Sequence, residues 1–332
     1  MKKEKEIVRS PKYILVIEDG KIIEKVEIGK DPKECAEKYV AGEVDKIIEM
    51  LKEKHKAVIS KKPLDISLLI KEGLFKDERE FDKFNREFSL WLAKLSVKEK
   101  FTPDKLAIQA ANFLDDLNEI INRIYERLSE WYGFYFPEFV KKCDKMEKFF
   151  KILSQGVKRE EVAKKFEIKA ESMGYDFSER DLDILHEIAV LGKELMNLKE
   201  SIAKYIRKVM EAHYYNLAKV AGPIIGAKLL SLAGGIENLA KMPASTIQVL
   251  GAEKALFRHL TKGTKPPKHG ILFQHPLVSK MPRKLRGKIA RTLASKIAIA
   301  ARVDYYSKGK EKVAEKLLKE IEERVEEIRG GK

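Results

Sequence analysis

The sequence predicts a mainly α-helical protein with a small N-terminal α/β domain, a long antiparallel coiled-coil hairpin and a helical C-terminal domain. Short β-branched runs are confined to the first 60 of its 332 residues. Two long segments in the middle repeat apolar residues at helical spacing. Beyond residue 222 the helical patterns are shorter and are separated by Gly and Pro. A chain of this length is expected to fold as two or three domains.

The N-terminal segment alternates strand and helix signals. Residues 13–17 and 22–28 are β-branched runs, and the Asp-Gly pair at 19–20 between them is typical of a two-residue hairpin turn. The Asp-Pro pair at 31–32 predicts the start of a helix, and residues 57–59 predict a further strand. This segment contains no phosphate-binding loop and no nucleophile beside a base. We therefore expect a docking or packing domain.

The first long helix is expected to start at residues 102–104, where threonine is a candidate N-cap and proline would occupy the first helical position. Apolar residues then recur at spacings of three and four across residues 106–131. Gly133 and Pro137 are expected to break the run, because glycine weakens a helix and proline removes a backbone donor.

The second long helix is expected to start at Ser178, with Asp181 in its first turn, and to end at Gly222-Pro223. Its apolar residues are spaced alternately by four and three over four heptads, which is typical of a coiled coil. This seam comprises Ile184, Ile188, Leu191, Leu195, Leu198, Ile202, Tyr205, Val209 and Ala212. Its seven members from Ile188 to Val209 are predicted to mediate self-association of two copies. Packing within one chain explains the same register.

The net positive charge is confined to one segment. Residues 219–310 contain 18 Lys and Arg against three acidic residues, an excess of 15 that equals the formal charge of the whole chain. The segments on either side are nearly neutral. Positive charge on loops as well as helices indicates a partner rich in phosphate, whereas lysines that serve only solubility would be spread along the chain.

The remaining composition argues against several classes of protein. Cys35 and Cys143 lie far apart and belong to no CxxC or His/Cys cluster, which argues against a disulfide scaffold and a zinc module. The apolar run at residues 13–17 is too short for a signal peptide or a membrane span. We therefore expect a soluble cytoplasmic protein without a metal, a cofactor or a membrane partner.

Four stretches in the basic segment carry a family resemblance. They read GAKLLSLAGGIENLAKMPAST, LGAEKALFRHL, PPKHGILFQHP and PRKLRGKIARTLASKIAIAARVD, in that order between residues 226 and 304. Together they resemble the RNA-binding domain of the Nop family in its archaeal box C/D form. The stretch WYGFYFPEF at 131–139 resembles the family's tight turn between coiled-coil helices, whereas the first 100 residues match only in layout.

The resemblance implies a non-catalytic scaffold of the ribonucleoproteins that guide RNA 2′-O-methylation. Residues 1–115 would form an α/β domain that docks the methyltransferase fibrillarin, and residues 116–246 a helical coiled-coil domain for self-association. Residues 247–332 would form the basic Nop domain, whose signature begins near residue 226. That domain would hold box C/D guide RNA together with a kink-turn-binding protein of ribosomal type.

The GAEK stretch within the resemblance places a loop beside a helix start, where backbone N–H groups can bind phosphate. The backbone of Gly251 and Ala252 and the side chain of Lys254 are therefore predicted to contact RNA. Arg258 follows on the same helix and is predicted to do the same. Glu253 would instead meet a basic residue of the kink-turn-binding protein.

His269 is predicted to stack on an unpaired base, because imidazole rings do so in RNA recognition; an ordinary surface-loop histidine is the alternative. A helix predicted from Pro282 to about Tyr306 surrounds an apolar face with basic side chains, some of which would cover that face with their stems. The further predicted RNA contacts are Lys241, Lys268, Arg283, Lys284, Arg286, Lys288, Arg291 and Arg302.

Two other functions compete with the scaffold, and an enzyme is not expected. The six histidines show no HExxH or metal-ligand spacing, and no glycine-rich loop for S-adenosylmethionine is present. A Nop-domain RNA-binding protein of a splicing-type particle is the alternative, since it would bind a similar kink-turn without fibrillarin. A non-specific basic coiled-coil protein of chromatin is the third, and it would need neither the KMPAST nor the GAEK stretch.

Overall fold

A computed structural model describes residues 5–60, 64–99 and 101–330. The chain divides into two compact units, residues 1–102 and residues 103–332. Each unit has its own buried hydrophobic clusters, as expected of independent domains. The structure is mainly helical with a small N-terminal sheet, which confirms the predicted fold class.

The first unit contains a four-stranded sheet. Its strands are Glu6–Arg9 (β1), Tyr13–Glu18 (β2), Lys21–Glu27 (β3) and Val58–Ile59 (β4). Their order is β3-β2-β1-β4, in which β2 runs antiparallel to both β1 and β3, and β4 runs parallel to β1. Asp19 and Gly20 join β2 to β3 with φ of 51° and 76°, the positive values that the predicted hairpin turn requires.

Helices pack on both faces of this sheet. They are Pro32–Val40 (α1), Glu43–His55 (α2), Ile66–Lys71 (α3) and Glu78–Glu99 (α4). The predicted start of α1 is confirmed, because the Asp31 carboxylate accepts hydrogen bonds from the N–H groups of Lys33 and Glu34, both at 2.9 Å. Ile14 joins a core with α1 and α2, and Leu15 joins one with α3, since successive strand side chains point to opposite faces.

The second unit contains the predicted antiparallel hairpin. Its first five helices are Asp104–Tyr135 (α5), Pro137–Lys142 (α6), Met146–Leu153 (α7), Arg159–Phe166 (α8) and Glu179–His213 (α9). Leu114 in the first half of α5 shares a core with Met210 at the end of α9. Tyr132 at the end of α5 shares a core with Leu182 at the start of α9. The two long helices therefore run in opposite directions along each other.

The ends of α5 differ from the sequence prediction. The helix starts at Asp104, so that Pro103 and not Thr102 is the N-cap residue, and Pro103 makes no side-chain cap bond. It continues through Gly133 to Tyr135, and only Pro137 ends it, by starting α6. Because three short helices separate α5 from α9, residues 131–139 do not form a tight turn between the two long helices.

The start of α9 is as predicted, but its end is not. Ser178 and Asp181 form a capping box, in which each side chain bonds to the other residue's backbone N–H. The helix ends at His213, and Tyr214 leaves the helical conformation with φ of −136° and ψ of 55°. The Gly222-Pro223 pair ends the next, separate helix, so its stop signal acts eight residues downstream of Tyr214.

The predicted apolar seam of α9 is divided between core and surface. Ile188, Leu195, Ile202 and Val209 are half-buried against the core, whereas Ile184, Leu191, Leu198 and Tyr205 are 39–48% exposed. The row that packs fully inside is the neighbouring one, which includes Leu185, Ala189, Gly192, Ile206 and Met210. A Cβ atom at Gly192 would lie 2.1 Å from the Phe150 ring. The Phe150 ring can therefore pack against α9 only where the residue is glycine. This contact places the row that contains Gly192 on the buried side of the helix.

The rest of the second unit is a group of short helices around one long helix. These are Tyr215–Ala221 (α10), Pro223–Ala233 (α11), Ile236–Lys241 (α12), Ala244–Val249 (α13), Glu253–Lys262 (α14), Pro276–Ser279 (α15), Arg286–Tyr306 (α16) and Ala314–Arg329 (α17), with a 3₁₀ turn at Ile271–Gln274. Helix α16 packs against α10, α12, α13, α15 and α17. It ends at Tyr306 as predicted but starts at Arg286, because residues 282–285 form a turn.

The predicted domain boundaries fall within helices. The boundary at 115/116 lies inside α5, and the boundary at 246/247 lies inside α13. The division into compact units falls at 102/103. The three-part division therefore stays a prediction about which residues serve which partner.

A buried polar pair joins three helices of the second unit. The Asp304 carboxylate on α16 accepts hydrogen bonds from Asn216 Nδ2 at 2.7 Å and from the backbone N–H of Leu217 at 2.8 Å. The Asn216 Oδ1 accepts from the N–H groups of Val313 and Ala314 at 2.8 and 3.0 Å, at the start of α17. Two side chains thus bond to the N-terminal backbone of both α10 and α17.

Replacement of Asn216 by Ala is expected to destabilise the second unit. The change would leave the buried Asp304 carboxylate without its amide donor, and the part-buried Val313 N–H and the buried Ala314 N–H without an acceptor. The free energy of unfolding should fall by about 1–3 kcal/mol or more, since each unsatisfied buried group costs that much. Urea unfolding measures the change, and Asn197→Ala on the exposed side of α9 is the matched control, expected within about 0.5 kcal/mol of the parent. Equal stability of the two variants would contradict this account of the pair.

Candidate nucleic-acid interface

Basic side chains from two parts of the second unit converge on one cleft of about 390 Å³. One wall is the loop before the 3₁₀ turn, and the other is the first half of α16 with the turn before it. Five cations line it, of which sequence reasoning missed the first: Lys265, Lys268, Lys284, Lys288 and Arg291. This group is called the cationic cleft below. Its lining also includes Pro266 and Pro267, whose rings stiffen the loop.

Hydrogen bonds fix one wall of the cationic cleft to α13. Gln248 Nε2 donates to the backbone carbonyl of Lys268 at 2.7 Å, and the Gly270 N–H donates to the Gln248 carbonyl at 2.9 Å. The Ile271 N–H donates to the Leu250 carbonyl at 2.7 Å. Because Gln248 is buried, the loop carrying Lys268 and its neighbours is held to the core of the unit. The cations therefore converge without a partner to order them.

His269 lies beside this cleft in an aromatic stack. Its ring is nearly parallel to that of Phe273, with centroids 4.9 Å apart and planes at 19°. The Arg286 guanidinium lies over the Phe273 ring, with Cζ 5.1 Å from the centroid. Burial, together with the charges of Arg286 and Lys268, lowers the pKa of His269 below its usual value. This shift favours the neutral form of the ring, which can stack on a base.

Arg286 and Arg302, both predicted to bind RNA, also bond to carbonyl groups at helix ends. Arg286 donates from Nε to the Met281 carbonyl at 2.8 Å and from Nη2 to the Ser279 carbonyl at 3.2 Å. Arg302 donates from Nε to the Ala240 carbonyl at 3.0 Å, at the last turn of α12. Both guanidinium groups donate hydrogen bonds to carbonyl groups at the ends of helices. Their positive charge remains, but only some of their N–H donors are left for phosphate.

Lys241 and Arg302 form a separate basic location. Lys241 pairs with Glu237 at 2.6 Å, and Arg302 bonds to carbonyl groups on either side of Lys241. Both lie beside the C-terminal half of α16. Lys288 and Arg302 are 14 positions apart on that helix, or roughly 21 Å at 1.5 Å per residue. Lys241 and Arg302 therefore lie apart from the predicted RNA contacts of the cationic cleft.

The loop with the GAEK stretch uses its own backbone donors internally. The Gly251 N–H donates to Glu253 Oε1 at 2.7 Å, and the Ala252 N–H donates to the Val249 carbonyl at 3.0 Å. Lys254 and Arg258 are exposed on α14. Their side chains, more than the loop backbone, are available to a phosphate, and Glu253 closes the loop.

Helix α14 exposes apolar side chains that sequence reasoning missed. None of its residues is buried, and Phe257 and Leu260 are 66% and 73% exposed. They lie three positions apart, on one face of the helix, next to Lys254 and Arg258. The sequence could have shown this, because the ten residues of the helix contain no second row of apolar side chains that would pack against the protein. Such an apolar pair among cations is suited to contact with a protein as well as with RNA.

Acidic side chains bound the interface on one side. Arg291 also lines a second cleft of about 590 Å³, whose far wall is α17 with Glu320, Glu323 and Glu327. Lys296 in that cleft forms an ion pair with Glu320. Positive charge is therefore neutralised beyond Arg291, and the cationic surface ends there.

Within the described ranges, no helix combines the length and apolarity needed to cross a membrane. The same residues hold no group of three or more His, Cys, Asp and Glu side chains placed to bind a metal ion.

Comparison with known proteins identifies relatives of this region. The family model for Nop, described as "snoRNA binding domain, fibrillarin", matches residues 113–327. An uncharacterised NOP5 family protein of Methanocaldococcus jannaschii is 39% identical over 295 residues, covering 82% of this chain and 70% of the relative. Nucleolar protein 58 of Schizosaccharomyces pombe is 39% identical over 227 residues, covering 63% of this chain and 45% of the relative. Human nucleolar protein 56 is 35% identical over 244 residues, covering 67% and 41%. The chain thus spans less than half the length of these eukaryotic relatives.

Replacing Lys284, Lys288 and Arg291 together by Ala is expected to weaken RNA binding and its salt dependence. If all three contact phosphate, the slope of log affinity against log salt should fall by roughly 2–3 units, since each contact releases close to one counterion. A salt titration with a double-stranded RNA measures the slope. Lys204, Arg207 and Lys208 on α9, replaced by Ala together, are the control for lost net charge. Equal slopes for the two triple variants would place the RNA elsewhere.

Proposed function

The chain belongs to the Nop family, and on that premise we propose that it is the non-catalytic scaffold of a box C/D ribonucleoprotein that guides RNA 2′-O-methylation. In this role it binds guide RNA, fibrillarin and a kink-turn-binding protein. The methyl group is transferred by fibrillarin and not by this chain. Its proposed location is the cytoplasm, because an archaeal relative matches 82% of this chain.

The cationic cleft is the observation that carries this proposal. Its cations come from segments about 20 residues apart in sequence, and hydrogen bonds hold one wall in place without RNA. A histidine in an aromatic stack lies beside it. Cations with a stacking ring are the combination that binds a folded RNA with an unpaired base, because phosphate contacts position the RNA and stacking holds the base.

A docking surface for the kink-turn-binding protein is proposed on α14. Exposed Phe257 and Leu260 supply apolar area, and Lys254 and Arg258 lie among them. A protein that is itself bound to RNA would meet this helix and the cationic cleft together. The intramolecular bond of Glu253 to Gly251 leaves its second carboxylate oxygen as a possible acceptor for a basic residue of that protein.

The first unit is proposed to hold fibrillarin. Residues 1–102 lie outside the segment that the Nop family model matches, and they form a compact unit with a separate core. Such a unit can carry a second partner independently of RNA.

Self-association is proposed through an exposed stripe on the hairpin. On α5 the stripe comprises Leu106, Phe113 and Ile120, and on α9 it comprises Ile184, Leu191, Leu198 and Tyr205, all spaced by seven. On both helices most stripe residues directly precede a buried residue, so each exposed row lies at the same rotation from the buried row of its own helix. Because the two helices are antiparallel and face each other, the two exposed rows lie on the same side of the hairpin. A second hairpin with the same stripe would cover them, as in a four-helix bundle.

Reconstitution tests the proposed function. The chain with guide RNA, fibrillarin, a kink-turn-binding protein and S-adenosylmethionine should yield RNA-guided 2′-O-methylation, whereas the chain alone should transfer no methyl group. A variant without residues 1–102 should still bind RNA but no longer recruit fibrillarin. If the chain binds kink-turn RNA but does not bind fibrillarin, the splicing-type alternative is favoured. Equal affinity for kink-turn RNA and random duplex would favour the chromatin-type protein.

Replacement of Leu191 and Leu198 by Asp is expected to abolish pairing of two copies. Both side chains are exposed, so the monomer should fold, but two carboxylates in an apolar contact between hairpins would each cost several kcal/mol. Sedimentation at several concentrations measures the mass. The control is Asn197→Asp with Lys204→Asp, on the polar side of the same helix. If the stripe variant still forms a dimer, the exposed rows do not mediate self-association and would contact another partner.

A further inference from the structure

We propose that Phe273 and Arg286 are positioning residues, which hold the His269 ring so that one face is covered by Phe273 and the other receives an unpaired nucleobase. The inference rests on the proposed RNA-binding function. It adds two residues to the base-binding site and gives Arg286 a role different from phosphate binding. The ligand class is a single unstacked base with its adjoining phosphate.

The stacking geometry is the first observation. The planes of His269 and Phe273 differ by 19°, and their centroids lie 4.9 Å apart. Aromatic pairs in protein cores more often meet edge to face or offset, and many of the aromatic pairs in this chain are edge-to-face, such as Tyr132 with Phe139 at 86°. At a centroid distance of 4.9 Å this near-parallel pair is offset, so Phe273 covers part of one ring face of His269. The cleft described below adjoins the pair.

Phe273 is not held by the hydrophobic core. It is 39% exposed, whereas its neighbour Leu272 is fully buried and anchors the 3₁₀ turn. The exposed ring must therefore be fixed by other contacts, of which the Arg286 guanidinium at 5.1 Å is one. This exposure also means that Phe273 can be replaced by a smaller apolar residue without leaving a core cavity.

Arg286 is itself fixed. Its Nε and Nη2 donate to the carbonyl groups of Met281 and Ser279. A planar guanidinium with two such bonds has little rotational freedom, so it holds the ring that it covers. Lysine at this position would keep the charge but could not reproduce the planar fork.

A cleft adjoins the stack. It has a volume of about 370 Å³ and is lined by Lys268, His269, Phe273, Arg283 and Arg286. Arg283 and Lys268 are exposed and can meet the phosphate of a nucleotide whose base lies on His269. The backbone on either side of His269 is bonded to α13, so the loop does not have to become ordered when the base binds. Lost entropy would otherwise oppose binding.

The test compares two RNAs with the full-length chain. One is a kink-turn RNA with one unpaired nucleotide, and the other carries an abasic site at that nucleotide. For the parent chain and for His269→Ala, the affinity for each RNA is measured at one salt concentration. Loss of the stacked base should cost roughly 5- to 150-fold, so the parent should prefer the base-containing RNA by that factor. His269→Ala should show almost no preference.

Phe273→Leu should lower the preference by about 2- to 10-fold, because an aliphatic side chain cannot replace the aromatic pair. Phe273→Tyr keeps the ring and should restore the preference. Arg286→Lys should lower the preference while leaving the salt slope unchanged. Thermal unfolding checks that each variant is folded, and Phe134→Leu on α5, whose ring is also exposed, is the control for loss of an exposed ring.

The outcomes separate this inference from the proposed function. If the parent chain binds neither RNA, the RNA-binding function is wrong. If it binds both equally, or if Phe273→Leu weakens both by the same factor, RNA binding stands but the positioning role is wrong. If Arg286→Lys lowers the salt slope and leaves the preference intact, Arg286 contacts phosphate and does not position the ring.

Discussion

The second unit depends on the buried contact between Asn216 and Asp304. These residues are 88 positions apart, and their side chains provide acceptors for the backbone of α10 and α17 and a donor for the carboxylate on α16. A buried carboxylate is stable only when donors surround it, and burial raises the pKa of Asp304 in spite of them. The pair holds the C-terminal end of α16 against the starts of α10 and α17, just after the end of the long hairpin.

Different parts of α16 make different contacts. Its buried row binds the surrounding helices, its first half lines the cationic cleft, and Arg302 in its second half holds the end of α12. Lys296 pairs with α17. A single helix therefore joins the core to the RNA-facing surface, and the charges along it differ in how much of their donor capacity is free.

Several signals that act between neighbouring residues were predicted correctly from the sequence, although the residue before α5 is Pro103 and not the predicted Thr102. Features that depend on distant residues were not predicted. The Asp31 cap, the Ser178 capping box and the hairpin turn at Asp19 need only a few adjacent residues. Gly133 stays helical, and the inner row of α9 is set by Phe150, which no local pattern reveals. Likewise, composition identified the basic segment but could not show that Arg286 and Arg302 bond to carbonyl groups.

The absence of buried residues in α14 has a consequence for its dynamics. A ten-residue helix without buried side chains is held mainly by its own backbone bonds, and such segments open locally at low free energy. Its amide hydrogens would therefore exchange with solvent much faster than those of α16. A partner that covers Phe257 and Leu260 would slow this exchange. The exchange rate of the α14 amides therefore shows whether a partner is bound to this surface.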